Sequence, residues 1–430
     1  MIRQFTLTLS ILIISVISLS AQEFQEISCG AGYKYQSYVQ LAAGTEKQVN
    51  NDAWDIAFTA FGFQDAGILI NESSASIQGE NVPQTELYYT GNSDFNASFD
   101  LNQIIKGAKL YNSKASWNDG AFNALKDTTN AFDYGWGAYN PATHSVTGTK
   151  VFVLKLRSGK YIKLMVEALN GTDYVIRYAD IDGQNEKTKT FSKTKDNAGQ
   201  KLIYYTFTDD KIVDILPQGG FDLFWGRYVS WATDPNGTIQ QWYTVTGILT
   251  APGVQTAVAK GVNPETVSVD PYLNSFSQKI DQIGYDWKTL VGTSWTLATD
   301  RAFFVKLPDN NVWKLAIVDF EGSATGTATL QKYFLGNPTS THDLKGTKLS
   351  FYPNPIQNEL IISLDVAQLY DYQYDVVVTD LAGRLVTSTK VNATEGWNVL
   401  KLDTSNLASG AYLVRVSNSN GTLAEKIIKY

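Results

Sequence analysis

The chain has little that could crosslink it, hold a metal or grip a nucleic acid. Of its 430 residues one is cysteine, Cys29, and two are histidine, His144 and His342. A lone cysteine excludes an internal disulfide framework. No Ser-His or Cys-His pairing is available in the body of the chain, which leaves no nucleophilic triad. The zinc-protease H-E-x-x-H, the G-x-S-x-G elbow, the phosphate-cradling G-x-x-x-x-G-K-[ST] and the dinucleotide G-x-G-x-x-G are all missing. Asp and Glu are frequent, so a carboxylate-pair glycosidase stays open on residue type alone. Nothing else marks an enzyme, and the expectation is a non-catalytic protein. Long basic runs are absent and the formal charge is −7, which argues against a nucleic-acid partner. No apolar run of bilayer-spanning length occurs.

The longest apolar run is short and sits at the start. Arg3 precedes Leu7 to Leu19, and Ser20 and Ala21 offer small residues for cleavage. This predicts an export signal over residues 1–21 and a mature protein without a transmembrane span. Cys29 lies beyond the run and follows Glu26, Ile27 and Ser28, a poor context for lipidation, so it reads as an ordinary thiol.

What the chain does have is aromatic residues, 24 Tyr, 20 Phe and 10 Trp, which favour pleated sheets. Its length predicts about two to four domains. VFVLKL (Val151 to Leu156) and YIKLMV (Tyr161 to Val166) read as a hairpin around the turn Arg157-Ser158-Gly159-Lys160. The stretch from Tyr134 to Gly171 returns between Tyr285 and Gly322, at a constant shift of 151 residues (134 to 285). Tyr134, Trp136, Phe152, Lys155, Leu156, Lys163, Leu164 and Gly171 meet identical residues in the later copy. These are the aromatic, apolar and turn positions that a hairpin needs. Upstream, Trp54-Asp55-Ile56-Ala57-Phe58 matches Phe221-Asp222-Leu223-Phe224-Trp225, and a Gly-Ile-Leu strand follows each, at Gly67 and Gly247. Alternation places Trp54, Ile56 and Phe58 on one face, and Phe221, Leu223 and Trp225 likewise. Ala179 to Glu186 lacks the closing Glu of a calcium loop and reads as a turn.

WDIAF at Trp54, KVFVLKLRSGKYIKL at Lys150, YYTFTDDKIVDILPQGGFDLFWGRY at Tyr204 and YTVTGILTAPGV at Tyr243 together resemble the HmuY-like family of secreted haem-binding proteins. The expected fold is all-β, with two tandem HmuY-like β-rich domains over residues 22–196 and 197–336. After a polar connector at 337–347, YPNP, DLAGRLV, NLASGAYLVRV and KIIKY follow in order. They resemble the sorting domain carried by cargo of the type IX secretion system, and the short alternating strands of 348–430 read as an Ig-like β-sandwich. The resemblance implies the type IX secretion machinery as a partner and a place outside the cell or on its surface.

The HmuY-like resemblance also implies haem, or a haem-carrying protein, as ligand and nutrient capture as purpose. His144 is the available imidazole for haem iron. Met165 offers a thioether opposite, and Trp136 or Tyr139 a ring to stack on the macrocycle. His342 falls in the connector, so the paired histidines of the family's founders cannot be assembled from one domain. The second copy has Trp295 and Ala316 at the matching positions. An alternative is an adhesin-like surface protein that binds protein or glycan, with Trp136, Trp231, Trp242, Trp287 and Trp295 as candidate stacking rings.

Deleting residues 348–430 is expected to trap the protein in the periplasm, as read by cell fractionation. Unchanged surface delivery would refute the sorting assignment.

Overall fold

The computed structural model describes residues 23–430, apart from 63–64, 78–79, 83, 234–239, 337–346, 367–372 and 419–420. The expected leader and nearly all of the expected connector, with His342, lie outside the described residues. The chain divides into two compact units, Phe24–Lys332 and a C-terminal one from Tyr333. Both are built of strands, as the aromatic and β-branched content requires.

The larger unit stacks four main antiparallel sheets around three main cores, and two two-stranded sheets are also described in it. One four-stranded sheet runs Lys211–Val213, Leu202–Thr206, Ile56–Thr59, Ile68–Ile70. One of its faces packs Ile56, Phe58 and Ile68 against Phe152, Leu154 and Leu164 of an eight-stranded sheet. Within that sheet five strands follow the order Lys187–Ser192, Asp173–Asp180, Tyr161–Asn170, Val151–Lys155, Glu86–Tyr89. A second four-stranded sheet runs Thr45–Asn50, Tyr35–Gln40, Leu223–Thr233, Gln240–Thr250. It packs Val39, Leu223, Trp225 and Ile248 against Phe303, Val305 and Leu315. Those last residues belong to a five-stranded sheet, Glu23–Ser28, Thr327–Gly336, Val312–Phe320, Arg301–Lys306, Gln255–Lys260. The third core lies between the two four-stranded sheets and joins Ala57, Leu69 and Tyr204 to Tyr38, Phe224 and Leu249.

Each strand order in the first pair of sheets recurs in the second. The hairpins match in register: Phe152 faces Leu164 as Phe303 faces Leu315, and Lys155 faces Tyr161 as Lys306 faces Val312. Buried Lys163 donates Nζ to the Phe95 carbonyl (3.1 Å), and buried Lys314 donates to that of Glu265 (2.8 Å). The division expected at 196/197 does not follow the sheets, however. Strands at 23–50 complete the sheets of the later half, and strands at 202–213 complete those of the earlier half. Loop insertions aside, the halves are woven rather than strung in tandem.

The expected shared face of Trp54, Ile56 and Phe58 is also revised. Asp55 is buried, and its carboxylate accepts from Phe207 N (2.7 Å) and Thr206 Oγ1 (3.1 Å). The strand starts only at Ile56, and Trp54 turns into the central core against Tyr204. Its indole donates to Gln36 Oε1 at 3.0 Å. Phe221 behaves alike, packing edge-on against Tyr38 at 5.1 Å.

Trp136 and Trp287 are fully buried, one in each outer core. Trp136 donates Nε1 to the Ala66 carbonyl at 2.9 Å. Beside Trp287 sits buried Lys288, whose ammonium lies 4.1 Å from the Trp287 ring centroid, 4.9 Å from that of Phe320 and 5.7 Å from that of Trp225. Burial pushes its pKa down to about 7. In the first half the matching position is Gly137, which needs no such cage.

The C-terminal unit holds two sheets, of three and four strands, around a core that includes Ile362, Leu364, Val376, Val378, Val414 and Ile427. Its seven described strands from Thr347 to Lys429 fit the expected β-sandwich.

Trp136→Ala is expected to destabilise the larger unit by about 3–5 kcal/mol in denaturant melts, since it leaves a large cavity in a packed core. For Lys288 the folded pKa lies below the unfolded one, so the fold gains stability as pH rises from about 7 toward 10.5 and loses it on the way down. Across that window Lys288→Met should flatten the pH dependence of stability, with the difference moving in favour of Met as pH falls. A parallel pair of stability curves would refute the assignment.

Candidate functional site

The hairpin Gly137–Asn140 and Ser145–Gly148 carries the candidate iron ligand in its turn. His144 has a left-handed φ of 55° and an exposed side chain. That backbone reverses the chain and sends the imidazole back over Tyr139. Nδ1 lies 2.8 Å from Tyr139 Oη. With the proton on Nδ1 the ring donates to the phenol oxygen and leaves the Nε2 lone pair free, the arrangement that orients a metal-binding imidazole.

Rings gather around this pair. Phe132 stacks on Tyr139 at 6.0 Å between centroids, and Tyr134 tilts against it at 6.2 Å. Phe132 is half exposed, so the cluster opens to solvent. Lys126 places its ammonium 5.9 Å from the Tyr134 centroid, a positive group at the rim. Phe132 was not singled out from sequence, and Tyr134 only as a landmark of the repeat. The signal was there in FDYGWGAY (Phe132 to Tyr139), where four rings fall within eight residues.

The other expected partners lie elsewhere. Trp136 has no exposed face to offer a ligand, because it fills the core beneath. Met165 stands on the same strand that pairs with the hairpin. Ser145 pairs with Asn170, so Met165 is five residues further along, about 16 Å at strand spacing. It packs with Phe95, Val151 and Ala179 on the outer face of the sheet. His144 and Met165 are therefore not brought together, and no thioether faces the imidazole.

The hairpin's counterpart differs. Lys288–Val291 and Ser294–Leu297 form a separate two-stranded sheet. Trp295, at the His144 position, is 36% exposed and packs edge-on against Phe320 (5.2 Å), near the Lys288 ammonium (5.8 Å). The second half has no imidazole there, as expected.

A cavity of about 50 Å³ opens at the central core. At its wall Glu72 accepts from Lys114 Nζ (2.8 Å), Asn112 N (2.7 Å) and Val229 N (3.2 Å). That volume suits a few waters rather than a tetrapyrrole. Among the described residues no group of three or more His, Cys, Asp and Glu side chains is arranged to hold a metal ion.

Residues 32–182 match the family model described as HmuY protein, and residues 350–430 match the secretion system C-terminal sorting domain. The chain is thus similar to HmuY protein over one segment and to the type IX secretion sorting domain over another. The HmuY match begins at the strand Tyr35–Gln40 and reaches past Asp173–Asp180, so it crosses between the interlaced sheets. The sorting domain directs export by type IX secretion to the cell surface or beyond it. No helix among the described residues is long and apolar enough to cross a membrane. No curated protein matches the chain. Among solved structures it is similar to dimeric latent PorU from Porphyromonas gingivalis, at 13% identity over 82% of this chain and 34% of that one, with a TM-score of 0.17. The chain thus spans about a third of PorU's length, and a likeness at that score carries no argument.

Proposed function

We propose that this secreted HmuY-like protein captures haem or a related tetrapyrrole, free or from a haem-carrying protein, for nutrient acquisition. The observation that carries the reading is the Tyr139–His144 contact at 2.8 Å, which orients an exposed imidazole beside stacked rings. The residues fit a site with one axial ligand from the chain. His144 supplies the nitrogen, Tyr139 holds the ring by accepting from Nδ1 in the tautomer that leaves Nε2 free, and Phe132 and Tyr139 offer an apolar edge for a planar macrocycle. Lys126 at the rim suits an anionic propionate. Bound there, haem would supply an iron centre that the His144 imidazole would hold.

Haemin titration of the purified chain tests this. The wild type should develop a Soret shift that His144→Ala loses. Tyr139→Phe keeps the ring but removes the hydrogen bond, and it should weaken binding by about 10-fold or more. No shift in the wild type, or one unchanged in His144→Ala, would overturn the reading.

A further inference from the structure

The two longest strands of the described chain, Leu223–Thr233 and Gln240–Thr250, pair along their full length. Near the end of this ribbon Trp231 faces Trp242 across the strands. Their rings meet edge to face at 5.5 Å, and each is about half exposed, at 54% and 45%. Of the five tryptophans singled out in the sequence, Trp136 and Trp287 are core and Trp295 packs on Phe320. Trp231 and Trp242 are the most exposed of the five and belong to none of the buried cores. A third ring braces them from behind: Tyr111 stacks on Trp242 at 4.7 Å with 30° between planes.

On the face of the pair, the described rungs to either side carry polar and uncharged side chains, while the Glu72–Lys114 ion pair lies behind Val229. Two rungs outward, on the same face, Gln240 Nε2 donates to Thr233 Oγ1 at 3.2 Å. Two rungs inward, Thr244 accepts from Gln84 Nε2 at 2.7 Å, opposite Val229. The rings thus lie between two amide–hydroxyl pairs, each with a further carbonyl, N–H or hydroxyl lone pair to offer. No charged residue occupies these rungs.

We propose that the Trp231–Trp242 pair is a stacking platform for a neutral oligosaccharide. A pyranose has an apolar face of C–H groups and a rim of hydroxyls. Half-exposed indoles take the first, and bordering amides and hydroxyls take the second. The absence of charge on the neighbouring rungs selects against acidic sugars. Size argues against a second copy of the chain as occupant. Two half-exposed indoles present about 250 Å², whereas a stable interface needs about 800 Å² from each partner. A tetrapyrrole would need an iron ligand beside the rings; among the described residues neither His nor Met stands there, and the Tyr111 ring is taken up in stacking on Trp242. This inference is independent of the His144 site.

The test is titration of the full chain with cellohexaose and mannohexaose, followed by tryptophan fluorescence and calorimetry. Binding is expected in the wild type. Trp231→Ala and Trp242→Ala should each weaken it by about tenfold or more, equivalent to ~1.4 kcal/mol. Trp397→Ala, at an exposed tryptophan of the sorting domain, should leave it unchanged. Sedimentation at increasing protein concentration checks self-association. Failure of both hexaoses to bind, equal binding in all variants, or a dimer abolished by either ribbon substitution would overturn the proposal. Because His144→Ala leaves this surface intact, loss of haem binding and loss of sugar binding are separately readable.

Discussion

Two carboxylates, buried Asp55 and half-buried Asp222, fix the weave on which the larger unit depends. Asp55 accepts from Phe207 N at the end of the strand Leu202–Thr206, and Asp222 accepts from Leu41 N at the end of Tyr35–Gln40, at 2.7 and 2.8 Å. Each tie joins the entrance of one strand to the exit of a neighbour distant in sequence. Burial raises both carboxyl pKa values, while the backbone N–H bonds draw them down again. A carboxylate kept in such a place must be hydrogen-bonded, because an unpaired buried charge costs several kcal/mol. The same pair of contacts forces Trp54 and Phe221 out of strand alternation and into the central core. There they meet Tyr204 and Tyr38, which touch one another edge-on at 6.5 Å. The central layer is therefore set by polar contacts at its margins as much as by its apolar filling.

The weave also explains how the sequence could be read correctly in its parts and wrongly in its divisions. Hairpin register was legible because it depends on neighbours, and Phe152 to Leu164 lies within one turn's reach. The repeated landmarks Asp55 and Asp222 were legible as matched residues. Their hydrogen-bond partners, Phe207 and Leu41, lie 152 and 181 residues away, and no local pattern announces them. A boundary at 196/197 assumes that a strand pairs with its neighbours in sequence. Strands at 23–50 instead pair with strands beyond 222, a choice made by tertiary packing.

The candidate site shows a similar split. His144 and Tyr139 were visible as an imidazole and a ring, yet their contact depends on one left-handed residue in a turn. Met165 looked suitable by type, since strand parity separates faces but says nothing of distance along the strand. Trp136 and Trp231 look identical in sequence, and only packing distinguishes the filled core site from the open one. Sequence gave candidates for stacking rings, and burial sorted them.

The two hairpins show what this sorting means for function. They share register in their neighbouring strands but differ in attachment. The first is tied into its sheet through Ser145, Val146 and Thr147, which pair with Asn170, Leu169 and Ala168. The second stands apart and folds Trp295 down over Phe320 and the Lys288 ammonium. A hairpin that must cover a buried amine has its aromatic residue committed to the protein. One anchored by backbone pairing has its side chains free to face solvent, as His144 does. The second half can therefore serve as scaffold while the first presents the imidazole. The same logic reaches the long ribbon, where eleven backbone-paired rungs hold Trp231 and Trp242 at the surface, outside the buried cores.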